Sequence, residues 1–225
     1  MKIVCLSFDD GTIYDEQFIK LLNKYNLKAT LNLNSGMKDF VWFYNDTQPI
    51  KRLDLQKYKD IYKGHEVASH SLTHPYFSSL SEEEIVRQVG EDLKNLKQIF
   101  NREIVGFAFP FHDQTEDNIL TVSKHFDLQY IRHSHFTNEI LPKDRYHIPI
   151  NAMYYDDDIY DRLEEFKNNN LKNSLFVIAG HSYEFEVKNH WEKIEKLLRY
   201  LKDSKELTVL TMKDAVQVLF PKETK

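Results

Sequence analysis

The sequence predicts an α/β protein whose parallel strands close into a barrel, and three observations carry that prediction. Eight short runs rich in Val, Ile, Leu and Phe read as strands. Helical patterns lie between most of them, and strands alternating with helices imply parallel strands joined by helical crossovers. The residues able to do chemistry stand just after five different strands, whereas an open doubly wound sheet concentrates its site at one switch point. Periodicity alone leaves ring and open sheet both available; the spread of the loops favours the ring. With 225 residues, no internal repeat and no Gly/Ser-rich linker, one domain spanning 1–225 is the economical organisation.

The first strand is 2–8, followed by a helix over 16–25 and strands at 28–33 and 65–70. The clearest helix starts at Ser81. Ser81 and Glu84 make a capping box, and Ile85, Val89, Leu93 and Leu96 recur at three- and four-residue spacing. Strand 104–109 precedes a helix over 116–126, and strands 129–133 and 147–150 come next. The run Asp156-Asp157-Asp158 suits the positive end of a helix dipole, ahead of a helix over 161–167. Strand 174–179, helix 191–201, strand 207–210 and helix 213–219 complete the alternation.

Composition excludes several classes. Cys5 is the single cysteine, so no disulfide staples the fold, and a chain of this size buries enough surface to need none. A formal charge of -5 with both signs interspersed lacks the basic surface of a nucleic-acid or anionic-membrane binder. No apolar run approaches the ~20 residues of a membrane span. Met1 leads straight into the first strand with no signal-peptide pattern, which predicts a cytoplasmic protein.

Four segments carry chemistry. Phe8-Asp9-Asp10-Gly11 sets two carboxylates at a strand end. Strand side chains alternate faces, so both acids serve one site only where the chain turns out of the strand, which Gly11 permits. Read alone, the segment is equally a polar strand end with Asp-Gly turn chemistry. His70-Ser71-Leu72-Thr73-His74-Pro75 places two imidazoles four residues apart, on one face of a helical turn, where they suit one metal ion or are a chance surface pair. Two histidines and a carboxylate leave a coordination position open for water, as catalytic zinc sites do. Phe109-Pro110-Phe111-His112 is a rigid loop or a loop of core aromatics, and Gly180-His181 ends a buried strand with either a core histidine or a functional one.

The order and chemistry of these segments resemble the polysaccharide deacetylase family (carbohydrate esterase family 4, the NodB homology domain), over nearly the whole chain. Ser7-Phe8-Asp9-Asp10-Gly11 resembles the family's T-F-D-D-G, and His70-Ser71-Leu72-Thr73-His74-Pro75 resembles H-[ST]-x-x-H-P. The resemblance implies a distorted (β/α) barrel of seven or eight strands. It implies Asp9 as catalytic base, Asp10, His70 and His74 as ligands of a divalent metal, best matched by zinc, and His181 as general acid. The expected activity is removal of acetyl groups from an N-acetylated sugar or oligosaccharide. The alternatives are an O-acetyl esterase, a non-sugar C-N amidohydrolase, and a catalytically silent carbohydrate-binding module.

Two departures stand out. The family's third motif, commonly R-x-P-Y, is here Ala108-Phe109-Pro110-Phe111, so the arginine that braces the base is missing, while the amide of Phe111 still offers an oxyanion donor. Arg132, near the end of the fifth strand, is the candidate replacement, since a nearby opposite charge favours the carboxylate. The D-x-x-D-W motif, which supplies the partner of the acid histidine, has no clean match; Asn151, Asp156-Asp157-Asp158 and Trp191 are the weak candidates, and the acids and aromatics of 183–186 are expected to line a sugar site or a solvated loop.

Overall fold

In the computed structural model, which describes residues 1–221, the elements run β1 (Lys2–Asp9), α1 (Asp15–Lys24), β2 (Thr30–Leu33), β3 (Val41–Tyr44), β4 (Gln48–Lys51), α2 (Leu55–Tyr58), β5 (Glu66–Ser69), α3 (Glu82–Phe100), β6 (Gly106–Ala108), α4 (Glu116–His125), β7 (Tyr130–Phe136), β8 (Ile148–Ile150), β9 (Ala152–Met153), α5 (Ile159–Asn168), β10 (Ser174–His181), α6 (Tyr183–Val187), α7 (Trp191–Asp203), β11 (Leu207–Leu210) and α8 (Met212–Leu219).

The main sheet is parallel throughout, in the order β8-β7-β6-β5-β2-β1-β10-β9. Its two ends belong to one stretch of chain. β8 pairs with β7 and β9 with β10, and only Asn151 separates β8 from β9. Asn151 donates its backbone N–H to the Val177 carbonyl at 2.9 Å and accepts the Val177 N–H on its side chain at 2.8 Å. Its side-chain amide donates to the carbonyls of Thr137 and Glu139. The sheet is thus nearly closed, and the barrel prediction holds. β11 pairs with Lys2–Cys5 of β1, below the point where β2 takes up Ser7–Asp9.

Alternation along β1 builds the layers. Val4, Leu6 and Phe8 face outward against α1, α5 and α7. Ile3 and Cys5 face inward, packed with Tyr130, Ile148, Leu175 and Val177, and α8 closes this end through Met212, Ala215 and Val216. On the far side α3 and α4 cover Phe107, Phe109 and Ile131. Above Cys5 the inward residues of β1 turn polar, Ser7 and then Asp9, so the apolar filling ends where the site begins.

Every strand and helix expected from the sequence is present within a few residues. The expectation lacked the antiparallel hairpin β3–β4, the short α2 and α6, and β9. The expected capping box at Ser81 is half formed. Ser81 Oγ accepts from the Glu84 N–H, but the Glu84 carboxylate turns to Arg87 at 2.6 and 2.8 Å. A full box caps α4 instead, between Thr115 and Asn118.

Candidate active site

Asp9 ends β1 on the inward face, in register with Asn32 of β2 and His181 of β10. Asn32 Nδ2 donates to Asp9 Oδ1 at 2.7 Å and to Ser7 Oγ at 2.9 Å. Arg132 Nη2 reaches both Asp9 oxygens at 2.8 and 2.7 Å from a fully buried position. Burial pushes the Asp9 carboxyl upward, but the charges of Arg132, His70 and His181 more than reverse this and hold it below its ordinary range. Arg132 stands directly beside Ala108 in the β6–β7 register. The charge absent from position 108 therefore arrives at the same level of the barrel from the next strand, over the smallest side chain available.

The chain leaves β1 through two residues of positive φ, Asp10 at 90° and Gly11 at 68°. That turn brings Asp10 to the same cleft as Asp9, a conformation that costs a non-glycine residue strain. His70 and His74 converge on it: His74 Nε2 lies 3.5 Å and His70 Nε2 3.9 Å from Asp10 Oδ1. The expected helical turn between the histidines is absent. Ser71 (φ 69°) and His74 (φ 56°) instead fold a tight loop. Ser71 Oγ accepts from the His74 N–H at 3.1 Å, and Gln88 of α3 grips both the backbone and the hydroxyl of Thr73. His70 Nδ1 bonds the Ala108 carbonyl at 2.8 Å, an arrangement in which Nδ1 carries the proton and Nε2 presents its lone pair.

Whether these residues fit a metal ion is decided by one atom. Asp10 Oδ1 is buried without a hydrogen-bond donor, although Arg52 Nη2 lies 3.0 Å away in an ion pair. An acceptor left without a donor among two imidazole nitrogens, all three ligand atoms within 4.8 Å of one another, is a set built for a cation. Burial pushes the His70 imidazole down to about 3, so it is neutral at physiological pH, as a ligand must be.

His181 ends β10 across the cleft. Its Nδ1 and its backbone N–H lie 3.3 and 3.2 Å from Glu184 Oε2, and Lys188 holds the other Glu184 oxygen at 2.6 Å. Burial disfavours the imidazolium, but the Glu184 hydrogen bond and the charges of Asp10, Glu184 and Asp9 outweigh it and raise His181 to about 9. Asn151, the aspartate run and Trp191 do not take this place. Asn151 closes the barrel, Asp157 is fully exposed, and Trp191 donates to Glu186. Sequence reasoning missed Glu184 as the partner; its signal was an acid three residues after a strand-ending histidine, on a turn that becomes α6. Behind it, Ser182 Oγ bonds Asp15 at 2.5 Å and Thr12 at 2.8 Å, tying this loop to the start of α1.

The cleft holding these groups has a volume of about 550 Å³. Arg132, Ser134 and Phe136 of β7 line it, so Arg132, the residue the sequence pointed to on this strand, faces the cleft while its neighbours His133 and His135 fall on the opposite face. His133 bonds the Tyr146 carbonyl instead. Phe111 lines the cleft at φ 54° and stacks on Tyr76 with ring centres 3.9 Å apart, whereas Pro110 is buried and not among the lining residues. The hairpin adds the facing wall: Phe40 and Trp42 line the cleft, and Trp42 meets Tyr183 edge-on at 5.4 Å. Phe185 turns into the core, so only Tyr183 of the aromatics in 183–186 reaches the site.

Comparison with known proteins agrees with this architecture. The family model for polysaccharide deacetylase matches residues 1–131, more than half of the chain, and the chain belongs to that family. A search of curated protein sequences finds no match. Solved structures of the same fold include a family 4 acetyl xylan esterase from Clostridium thermocellum in complex with a cobalt ion (16% identity, 96% of this chain and 91% of that one, TM-score 0.59). The Bc1960 peptidoglycan N-acetylglucosamine deacetylase is similar too (18% identity, 96% and 88%, TM-score 0.60). So is BA3943 from Bacillus anthracis, a family 4 pseudoenzyme (16% identity, 96% and 65%, TM-score 0.61). At these identities the likeness is one of fold.

Proposed function

We propose that this protein is a metal-dependent deacetylase that hydrolyses the acetamide of an N-acetylated sugar or oligosaccharide. The observation that carries the reading is the meeting, in one cleft, of the buried Asp10 carboxylate and two imidazoles with a braced carboxylate on one side and a charged imidazole on the other. Asp10, His70 and His74 hold the divalent ion, for which two imidazoles and a carboxylate suit zinc. When bound, the ion polarises the acyl carbonyl and acidifies a water molecule.

The chain's own groups do the remaining work. Asp9, kept ionised by Arg132 and aimed by Asn32, removes the proton from the attacking water. The Phe111 amide donates to the oxygen on which charge develops. His181, protonated at neutral pH because Glu184 faces its Nδ1, gives a proton to the departing nitrogen, which is too basic to leave as an anion. Phe40, exposed in the cleft wall, offers an apolar face to a sugar ring. No helix among the described residues is long and apolar enough to cross a membrane.

The test is acetate release from N-acetyl and O-acetyl sugars of increasing length, with zinc content measured on the same samples. Asp9→Asn and His181→Ala are expected to lose about 10²- to 10⁴-fold in kcat and to retain zinc; Arg132→Ala is expected to fall in the same direction. A His181→Ala defect below tenfold transfers the reading to an O-acetyl ester, whose alkoxide leaves with less help. Zinc binding without acetate release from any substrate transfers it to a silent carbohydrate-binding module.

A further inference from the structure

Arg52 was not singled out by any sequence pattern, yet it is a buried cation held against one of the candidate metal ligands. It follows β4 directly, donates its backbone N–H to the Phe40 carbonyl and is 5% exposed. Its Nη1 donates to the Asp10 carbonyl and, at 2.5 Å, to Asn34 Oδ1. Its Nη2 lies 3.0 Å from Asp10 Oδ1, the same oxygen that faces His74 and His70. The Trp42 ring covers the guanidinium at 5.0 Å, and Nε is buried without a hydrogen-bond partner.

These contacts fix the charge of the centre before any ion enters. Asp9 and Asp10 carry two negative charges; Arg132 and Arg52 each sit against one of them and cancel both. A ligating carboxylate gives its cation the full benefit of its charge only where no other cation pairs with it. Here that charge is already shared with a buried guanidinium, which water screens weakly.

We infer that Arg52 is a positioning residue that sets the charge of the metal centre, weakening its hold on a divalent ion and leaving that ion's positive charge uncompensated toward the substrate's acyl oxygen. The inference rests on Asp10, His70 and His74 holding a divalent ion, but not on the substrate being a sugar. It also assigns the β3–β4 hairpin a second duty, since one residue after β4 joins the Trp42 wall of the cleft to the ligating carboxylate.

The sign of one measurement separates this role from a merely structural one. A residue that only props Asp10 in place would, when removed, loosen the ion; a residue that repels the ion would, when removed, tighten it. The full-length protein is stripped with chelator and titrated with Zn2+ against a chromophoric competitor, as wild type, Arg52→Gln and Arg52→Lys. Arg52→Gln is expected to bind Zn2+ at least tenfold more tightly, and Arg52→Lys, which keeps the charge, to stay within about threefold of wild type. At saturating Zn2+ the Gln variant is expected to release acetate at least tenfold more slowly. Arg52→Met, which keeps an apolar stem against Trp42, takes the place of the Gln variant if that one does not fold. Equal or weaker Zn2+ binding in the neutral variants overturns the inference while leaving the metal centre standing. Failure of the wild type to bind Zn2+ overturns both.

Discussion

Ala108 and Arg132 show how a charge missing from one strand is supplied by the next. The two residues are register partners on adjacent strands, so a guanidinium from β7 spans the space above an alanine on β6 and reaches Asp9 with 2.7 to 2.8 Å contacts. Arg132 was the replacement the sequence offered for bracing Asp9; that it makes the contact, and from a position directly beside Ala108, was decided by strand pairing, a property of the sheet. Glu184 makes the same point on the acid side. It raises the His181 imidazole against the effect of burial, so removing its charge must lower that pKa. Glu184→Gln is therefore expected to move the alkaline limb of the kcat profile to lower pH by about one unit, the direction set by loss of an imidazolium partner. A profile that keeps its alkaline limb while kcat falls would remove Glu184 from this role.

Among the elements, β7 and the closing segment β8–β9 decide most. Period-two alternation along β7 sends Arg132, Ser134 and Phe136 into the cleft and the two flanking histidines away from it. A run such as His133-Ser134-His135 advertises its imidazoles in the sequence, but the face was fixed by pairing with β6. The segment 148–153 closes the barrel through its backbone pairing with β7 and β10 and through one side chain between them, since Asn151 accepts from Val177 and donates to Thr137 and Glu139. Asn151→Ala leaves those groups without partners and is expected to destabilise the fold by about 2–3 kcal/mol, checked by chemical denaturation. A change below 0.5 kcal/mol would mean the closure is held by the backbone alone. The hairpin β3–β4 escaped prediction for a physical reason. Its strands are four residues long and mostly solvent-facing, with Val41 and Phe43 exposed, so no buried face imposes a strong pattern.

For the whole molecule, the barrel is welded to α3 by a buried acid. Asp92 accepts from the Ser35 N–H at 2.7 Å and from Ser69 Oγ at 2.6 Å, tying the helix to the ends of β2 and β5 next to His70. Burial raises its carboxyl to about 7, only partly offset by the Ser35 and Ser69 bonds. A raised folded-state pKa stabilises the protein below the unfolded value of 3.8, and that contribution is lost as pH climbs through about 7. Asp92→Asn retains an acceptor for Ser35 and a donor for Ser69 without a charge. It is expected to raise Tm by several degrees at pH 8 and by less at pH 5, measured by scanning calorimetry; an equal gain at both pH values would rule out ionisation of Asp92 as the cause.

The sequence by itself determined the alternation of strands and helices, the loops that carry Asp9, Asp10, His70, His74 and His181, and the expectation of a ring, because hydrophobic periodicity and strand-end chemistry are local. Only the tertiary structure decided which charges face those groups. Arg132, Arg52 and Glu184 act across strand pairs, through a hairpin and around a turn, and electrostatic contact is set by distance in space, which spacing along the chain does not encode.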